Sequence, residues 1–170
     1  MAQEQFTDAI ALLKNDHREV EDLFEKFEKA SSSERKWQLA QQICNELKIH
    51  TIIEEEIFYP ACESAVEEDL YKEAFVEHDG AKVLINDIMA TGGEGDFFQA
   101  KVKVLSEEIE HHVKEEEKPG EGFFAQARQG DVDMVALRDQ LMARKEELTA
   151  QAENGGLPPA QLTAVQTETA

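Results

Sequence analysis

Four long stretches of the chain place apolar residues at helical spacing, and this periodicity limits the folds that the chain can adopt. The stretches cover residues 7–30, 34–65, 67–90 and 96–118. Apolar positions three and four apart form one face of an amphipathic helix. No stretch alternates polar and apolar residues as a strand does. Four long helices with short connections predict an up-down-up-down bundle.

Local signals mark where the predicted helices begin and end. Ser31 and Glu34 have the spacing of a capping box before the second helix. Ser64 and Glu67 repeat that spacing before the third helix. Pro60 is expected to kink or end the second helix, because proline has no backbone N–H to donate.

The rest of the chain predicts a smaller addition to the bundle. Residues 122–128 indicate a short helix, and residues 131–152 indicate a fifth helix capped by Asp131. Residues 157–170 have no periodic apolar face and are expected to be disordered. The predicted fold class is therefore all-α: a four-helix bundle over residues 1–130, an additional C-terminal helix over 131–154 and a disordered tail over 155–170.

The charge of the chain excludes two classes of partner. The sequence has 17 basic and 37 acidic side chains, a formal net charge of −20, so nucleic acid and anionic membrane surfaces are not expected to bind. There is neither an apolar run long enough to span a membrane nor a leader-like N-terminus. Cys44 and Cys62 lie too far apart on one predicted helix to pair. These features predict a cytoplasmic protein with reduced cysteines, and they leave open whether it has a protein partner.

The five histidines are spread so that each of the four long helices carries at least one. On a wheel of about 100° per residue, His50, His78 and His112 fall on the apolar face of their helices, and His17 falls near its edge. In the second helix that face is defined by Leu39, Ile43, Leu47, Ile57 and Ala61. His111 points away from it, so we expect this side chain to be solvated or to support a ligand.

Two of the inward histidines have a glutamate four residues later on the same face, His50 with Glu54 and His112 with Glu116. Such pairs are neighbours on a helix and can serve one metal centre. A carboxylate buried without a cation or donor is costly. A single inward histidine is better explained as a hydrogen-bonded core residue, but four of them with two paired glutamates favour a metal. The adjacent glutamates are expected at the surface: Glu55, Glu56, Glu115 and Glu117.

These residues resemble the hemerythrin-like, or HHE cation-binding, family over residues 7–128. The most specific match is the second-helix motif with its Phe-Tyr-Pro ending, and the chain is most similar to small single-domain bacterial members. The matching motifs are Asn15-Asp16-His17, His50-Thr-Ile-Ile-Glu54-Glu-Glu-Ile-Phe-Tyr-Pro60, Glu77-His78 and His111-His112-Val-Lys-Glu-Glu116-Glu.

The resemblance implies two irons bridged by carboxylates and by an oxo or hydroxo group. Imidazole and carboxylate together suit iron, and neither cysteine falls on the predicted core face, which argues against a thiolate-bound zinc. Carried over residue by residue, the terminal ligands are His17, His50, His78 and His112, and the bridging ligands are Glu54 and Glu116.

Lys82 departs from the pattern of the oxygen-carrying members, which have a histidine at this position, one turn after His78. An ammonium group cannot ligate, so the set resembles that of iron-sensing members and leaves open positions, or a partly filled or mononuclear site. The Lys82 amine is expected either to point towards the metals and their carboxylates or to reach solvent along its alkyl stem. Glu21 and His111 are further candidates, as an alternative ligand or as support for one.

Three functions follow from this reasoning. The leading one is a non-haem iron protein that binds, senses or buffers oxygen, nitric oxide or iron. The second is a diiron enzyme that reduces peroxide or nitric oxide, although the sequence offers no catalytic motif besides the metal ligands. The third is a helical interaction module with a structural metal.

Overall fold

Four long helices form the body of the protein. The computed structural model describes residues 5–166. The bundle consists of α1 (Ala9–Lys29), α2 (Ser33–Ile53), α4 (Glu68–Thr91) and α5 (Phe98–Glu117). α1 packs against α2 and α4 against α5, and contacts of α2 with α4 and of α1 with α5 close the ring. The predicted all-α bundle is confirmed, and within residues 5–166 no helix is apolar over a membrane-spanning length.

Side-chain caps fix where several helices begin. Asp8 accepts a 2.9 Å hydrogen bond from the Ala11 amide before α1. Ser32, not the predicted Ser31, caps α2 by accepting from the Arg35 amide at 3.1 Å. In the same way Asp133, not Asp131, caps α7 (Met134–Glu153). In each case two polar residues compete, and the one whose oxygen reaches the amide three residues later is the cap.

The second predicted helix changes its hydrogen-bonding pattern one turn before Pro60. α2 is followed by a π turn (Glu54–Phe58), by α3 (Tyr59–Cys62) and by a 3-10 turn (Glu63–Ala65). A π turn holds one extra residue per turn, so the buried face advances by one position. Phe58, Tyr59 and Cys62 are therefore buried, whereas Ala61, predicted to face the core, is exposed.

Both cysteines lie in the core, although the wheel placed them off the core face. Cys44 and Cys62 are buried free thiols. Burial raises the pKa of each thiol to about 12, so both stay protonated at neutral pH. The expected reduced state agrees with the structure of the described residues.

The C-terminal helix is part of the packed core. α6 (Phe123–Gln129) lies against α5, and α7 lies against α1, α2 and the π turn. One side of α7 buries Leu137, Leu141 and Leu148.

The segment after α7 differs from the disorder expected of residues 155–170. Residues 157–166 form no helix or strand, but they make specific contacts with α2 and α4. Asn86 and the backbone of Ala160 exchange two hydrogen bonds of 2.8 Å. Asp79 accepts from three successive backbone amides, those of residues 163–165. Polar side chains of α4 thus give the segment a defined path; residues 167–170 of the predicted tail lie outside the described residues.

The apolar core has two parts with a polar layer between them. One cluster includes Ile10, Phe58 and Leu141, and the other includes Phe24, Ile43 and Ile85. The buried polar side chains between the two clusters are His17, His50, Glu54, His78, His112 and Glu116.

Candidate metal centre

Four imidazole rings converge in the middle of the bundle, each from a different long helix. The Nε2 atoms of His17 and His50 lie 3.1 Å apart, and those of His78 and His112 also lie 3.1 Å apart. All four rings are buried. The helix axes therefore bring together the four inward histidines that the sequence singled out.

Two glutamates connect the histidine pairs. Glu54 places Oε1 3.1 Å from His50 Nε2 and Oε2 3.1 Å from His78 Nε2. Glu116 places Oε1 3.2 Å from His112 Nε2 and Oε2 3.3 Å from His17 Nε2. Each carboxylate thus offers one oxygen to each histidine pair, which is the arrangement of a bridging ligand.

Two sets of donor atoms result. The first donor set is Nε2 of His17 and His50 with Glu54 Oε1 and Glu116 Oε2; the second donor set is Nε2 of His78 and His112 with Glu54 Oε2 and Glu116 Oε1. Within each of the two residue groups, the donor atoms lie within 4.8 Å of one another. Such compact groups of nitrogen and oxygen donors fit a metal ion in each set.

The glutamates carry a second sign that the layer suits a cation. Glu54 Oε1 and Glu116 Oε2 are buried and accept no hydrogen bond of good geometry from the described residues. Leaving a buried carboxylate oxygen unpaired costs free energy, more so beside a second carboxylate. A bound cation in the first donor set satisfies both atoms.

In each of the four inward histidines, the other ring nitrogen contacts a carboxylate from another helix or from the π turn. The Nδ1 distances are 2.9 Å for His17 to Glu117, 3.1 Å for His50 to Asp16, 2.9 Å for His78 to Glu55 and 3.1 Å for His112 to Glu77. An Nδ1–H donated to a carboxylate leaves Nε2 free to face a metal and makes it a stronger ligand. Glu55 and Glu117, which we expected at the surface, therefore support ligand histidines.

The Tyr59 hydroxyl lies in the second donor set, although the sequence patterns assigned no role to this residue. It is 3.1 Å from His78 Nε2, 3.4 Å from His112 Nε2 and 3.1 Å from Glu54 Oε2, and it also donates to Glu116. The available signal was the Phe-Tyr-Pro ending of the second motif. Only the π turn, however, rotates Tyr59 onto the face of Glu54.

Opposite charges in this layer move each other's pKa away from ordinary values. Burial and the charge of Glu116 act to raise the pKa of Glu54, yet His50 lowers it to about 2. Burial acts to lower the pKa of His112, yet the charge of Glu116 and a hydrogen bond to it raise this pKa to about 10. Without a metal, the two carboxylates are therefore balanced by protonated His50 and His112. A cation takes over that balance, because an imidazole must be neutral to ligate.

The three further candidates lie outside the donor sets. Lys82 is buried, but its amine pairs with Glu55 at 2.8 Å and Asp79 at 3.3 Å, so it neither reaches the bridging carboxylates nor extends to solvent. Glu21 pairs with Arg18 on the surface at 3.2 Å. His111 is exposed and lies 3.3 Å from Glu77. Lys82 thus supports Glu55, the carboxylate that holds His78. His111 contacts Glu77, the carboxylate that holds His112. Glu21 contacts neither donor set.

A small cavity adjoins the histidine side of the layer. Its volume is about 20 Å³, and apolar side chains of α1, α2 and α5 form much of its wall: Val20, Leu47, Ile109 and Val113. A space of this size holds one water-sized molecule. The histidine rings of both donor sets border it.

The fold and the site together define a helical bundle with a buried carboxylate- and imidazole-lined metal centre. The family model of the hemerythrin HHE cation binding domain matches residues 8–119. The chain belongs to this family, as its motifs indicated, and it carries buried histidine and glutamate clusters that fit the binding of metal cations.

Two known proteins extend the comparison. A solved structure of a hemerythrin HHE cation binding domain-containing protein from Mycobacterium kansasii has a TM-score of 0.73 at 24% identity, over 88% of this chain and 91% of that one. It shows a shared fold. A DNA nickase from Nostoc sp. (strain PCC 7120) is 27% identical over 106 residues, so the chain covers only 30% of that protein's length.

Proposed function

We propose that this protein is a non-haem iron protein that holds two irons, one in each donor set, with Glu54 and Glu116 as bridging ligands. The observation that supports this is the division of both carboxylates between the two histidine pairs. Neutral imidazole with carboxylate is a donor set that suits iron. The six ligands of the proposal are His17, His50, Glu54, His78, His112 and Glu116.

The proposed task is to bind a small ligand, such as oxygen or nitric oxide, at open metal positions. Each donor set offers two imidazole nitrogens and two carboxylate oxygens, to which Tyr59 adds one hydroxyl in the second set. Four or five protein donors leave room on an iron that takes six ligands. The cavity of about 20 Å³ beside the histidines holds one water-sized molecule, and its apolar wall suits a small uncharged ligand.

Nicking of DNA is not part of the proposal. The relative with that name aligns with this chain over 106 residues, which are 30% of its own length, and only 27% of them are identical. The net charge of −20 opposes contacts with phosphates. A cytoplasmic location, where the free thiols Cys44 and Cys62 stay reduced, completes the proposal.

The first experiment measures the metal content of protein purified without added metal. We expect two irons per chain in the parent, a loss of iron in His112→Ala, and an iron content equal to that of the parent in His111→Ala. The two variants are matched because the residues are adjacent, but only His112 faces Glu116. Stoichiometric zinc without iron contradicts the proposal, as does full iron in His112→Ala.

The second experiment separates a binding protein from an enzyme. Anaerobic protein loaded with iron(II) is titrated with nitric oxide, without and with a reductant, and separately with peroxide and a reductant, while absorbance is recorded. A spectral change that saturates in proportion to the iron supports ligand binding. Continued consumption of peroxide or nitric oxide supports the second candidate, a diiron enzyme that reduces these molecules. In that case the consumption is lost in Glu54→Ala.

A further inference from the structure

The C-terminal part of the chain touches carboxylates that hold two of the inward histidines. Lys145 lies on α7 and Thr163 on the segment after it, both beyond residues 8–119 that match the family model. Each meets a carboxylate that also holds a histidine Nδ1. One of these histidines belongs to the first donor set and the other to the second.

At the first donor set, the contact runs from Lys145 through Asp16 to His50. The Lys145 amine pairs with Asp16 Oδ1, while Asp16 Oδ2 lies 3.1 Å from His50 Nδ1. Burial acts to raise the pKa of Asp16, but His50 and Lys145 lower it, so the carboxylate stays charged. Without Lys145, this buried carboxylate would keep only its histidine partner among the contacts of the described residues.

At the second donor set, the contact runs from Thr163 through Glu55 to His78. The Thr163 hydroxyl donates to Glu55 Oε2 at 2.7 Å, and Glu55 Oε1 lies 2.9 Å from His78 Nδ1. Lys82 joins the same group, since its amine donates to both Glu55 oxygens and, at 3.0 Å, to the backbone carbonyl of Gln161. The segment after α7 therefore closes a network around the carboxylate that orients His78.

We propose that Lys145 and Thr163 are positioning residues for the two donor sets, Lys145 for His50 and Thr163 for His78. The proposal rests on the proposed function, in which both histidines ligate a metal. A carboxylate held at both oxygens is fixed in orientation, and so is the imidazole that donates to it. α7 and the segment after it thereby support the metal centre, one donor set each, besides covering the core.

The first test uses metal-free protein and the ring nitrogens of ¹⁵N-labelled histidine. Five histidines give few signals, and His50→Gln and His78→Gln assign the two that matter. We expect Lys145→Met to shift the His50 ring signals and leave those of His78 in place. We expect Thr163→Val, which keeps the side-chain shape, to shift His78 and leave His50 in place.

The second test follows a Zn²⁺ titration of the full chain on the same two signals, with a competing chelator. We expect each variant to weaken Zn²⁺ binding at its own donor set by about 3- to 10-fold, less than the roughly 10- to 100-fold that follows loss of a residue touching the ligand itself. Thr163→Ser, which retains the hydroxyl, restores both the His78 signal and the affinity.

The matched control is Arg144→Met. Arg144 also joins α7 to the π turn, through Glu56 at 2.9 Å, but Glu56 is not among the carboxylates that hold a histidine.

Equal shifts in this variant and in Lys145→Met overturn the proposal, as does a variant that shifts the ring signals of both His50 and His78 or of neither. Selective shifts in a protein that binds neither Zn²⁺ nor iron(II) support the positioning and overturn the proposed function. Zn²⁺ binding of parent strength in both variants overturns the positioning alone.

Discussion

We expect Tyr59 to have a different chemical role with and without a metal. Burial, with the charges of Glu116 and Glu54, raises the pKa of Tyr59 well above its ordinary value, so without a metal the phenol stays neutral and donates hydrogen bonds to these carboxylates. A metal ion beside a hydroxyl reverses this preference and favours the deprotonated form. The hydroxyl lies 3.1 Å from His78 Nε2, within the second donor set.

We therefore predict a visible charge-transfer band from phenolate to iron(III) in the loaded parent and its loss in Tyr59→Phe. The variant keeps the six histidine and glutamate ligands, so its iron content is expected to equal that of the parent. Absorbance spectra and iron assays on the same samples check both statements. The matched control is Tyr71→Phe, because Tyr71 lies behind Tyr59 and is absent from the donor sets. A band of unchanged strength in Tyr59→Phe contradicts the assignment.

The charged layer also sets how the metal-free protein responds to pH. The folded pKa of His112 is about 10 against 6.5 in its ordinary state, and that of Glu54 is about 2 against 4.5. The stabilisation from His112 is complete below pH 6.5 and is lost as the pH rises towards 10. The stabilisation from Glu54 is complete above pH 4.5 and is lost as the pH falls towards 2.

We predict that metal-free protein is most stable between pH 4.5 and 6.5 and loses stability on the alkaline side of that window. Thermal melts across pH 3 to 10 measure this. Bound metal is expected to remove the alkaline loss, because the ligating imidazoles are then neutral. A melting temperature of metal-free protein that stays constant from pH 6.5 to 10 would show that the imidazoles are not paired as described.

The inward residues could be predicted from the sequence, but most of their supports could not. A helical wheel describes one helix, and His50 and Glu54 face inward whatever their neighbours are. Glu55 and Glu117 lie off that face, and they meet His78 and His17 only because another helix passes beside them. The wheel gives neither the angle at which two helices cross nor how closely they approach. It therefore predicts an acidic residue at the edge of a helix face to be a surface charge.

The π turn is the element that sequence periodicity misplaced. Pro60 correctly predicted a change in the second helix, and the change is a π turn just before Pro60 that accommodates one more residue. The inserted residue moves Phe58 and Tyr59 into the core and moves Ala61 out. π turns are frequent at functional sites, and here the turn begins at the bridging candidate Glu54.

α7 contributes to the stability of the packed core. Leu141 has no exposed surface, and α7 packs against α1 and α2.

We predict that Leu141→Ala lowers the free energy of unfolding by about 2–5 kcal/mol, because it removes buried methyl groups and leaves a cavity. Val135→Ala on the same helix, where half of the side chain is exposed, is expected to change it by less than about 0.5 kcal/mol. Urea unfolding followed by circular dichroism measures both. Equal stability of the two variants would place α7 outside the cooperative core.

On the scale of the whole molecule, the polar layer separates two apolar clusters that differ in what covers them. The cluster with Ile10, Phe58 and Leu141 is covered by α6 and α7 in addition to the bundle helices. The cluster with Phe24, Ile43 and Ile85 consists of the bundle helices alone. In metal-free protein the two clusters meet across a layer of buried charges. Two bound metals would instead connect all four long helices through the ligands of both donor sets.

This arrangement predicts that the metal-free protein melts in two steps and the metal-loaded protein in one. Trp37, the single tryptophan, packs against the less covered cluster, with its ring 5.9 Å from that of Phe98. Without metal, we expect the Trp37 fluorescence transition at a lower temperature than the circular dichroism transition of the whole helix content. A difference of about 1–2 kcal/mol in the free energy of unfolding of the two clusters separates the midpoints by about 2–8 °C.

With metal, the two transitions are expected to coincide at a higher temperature. His112→Ala serves as the control, because added metal should fail to merge its transitions. If the two probes already coincide in metal-free parent protein, the clusters unfold as one unit and the polar layer does not divide them.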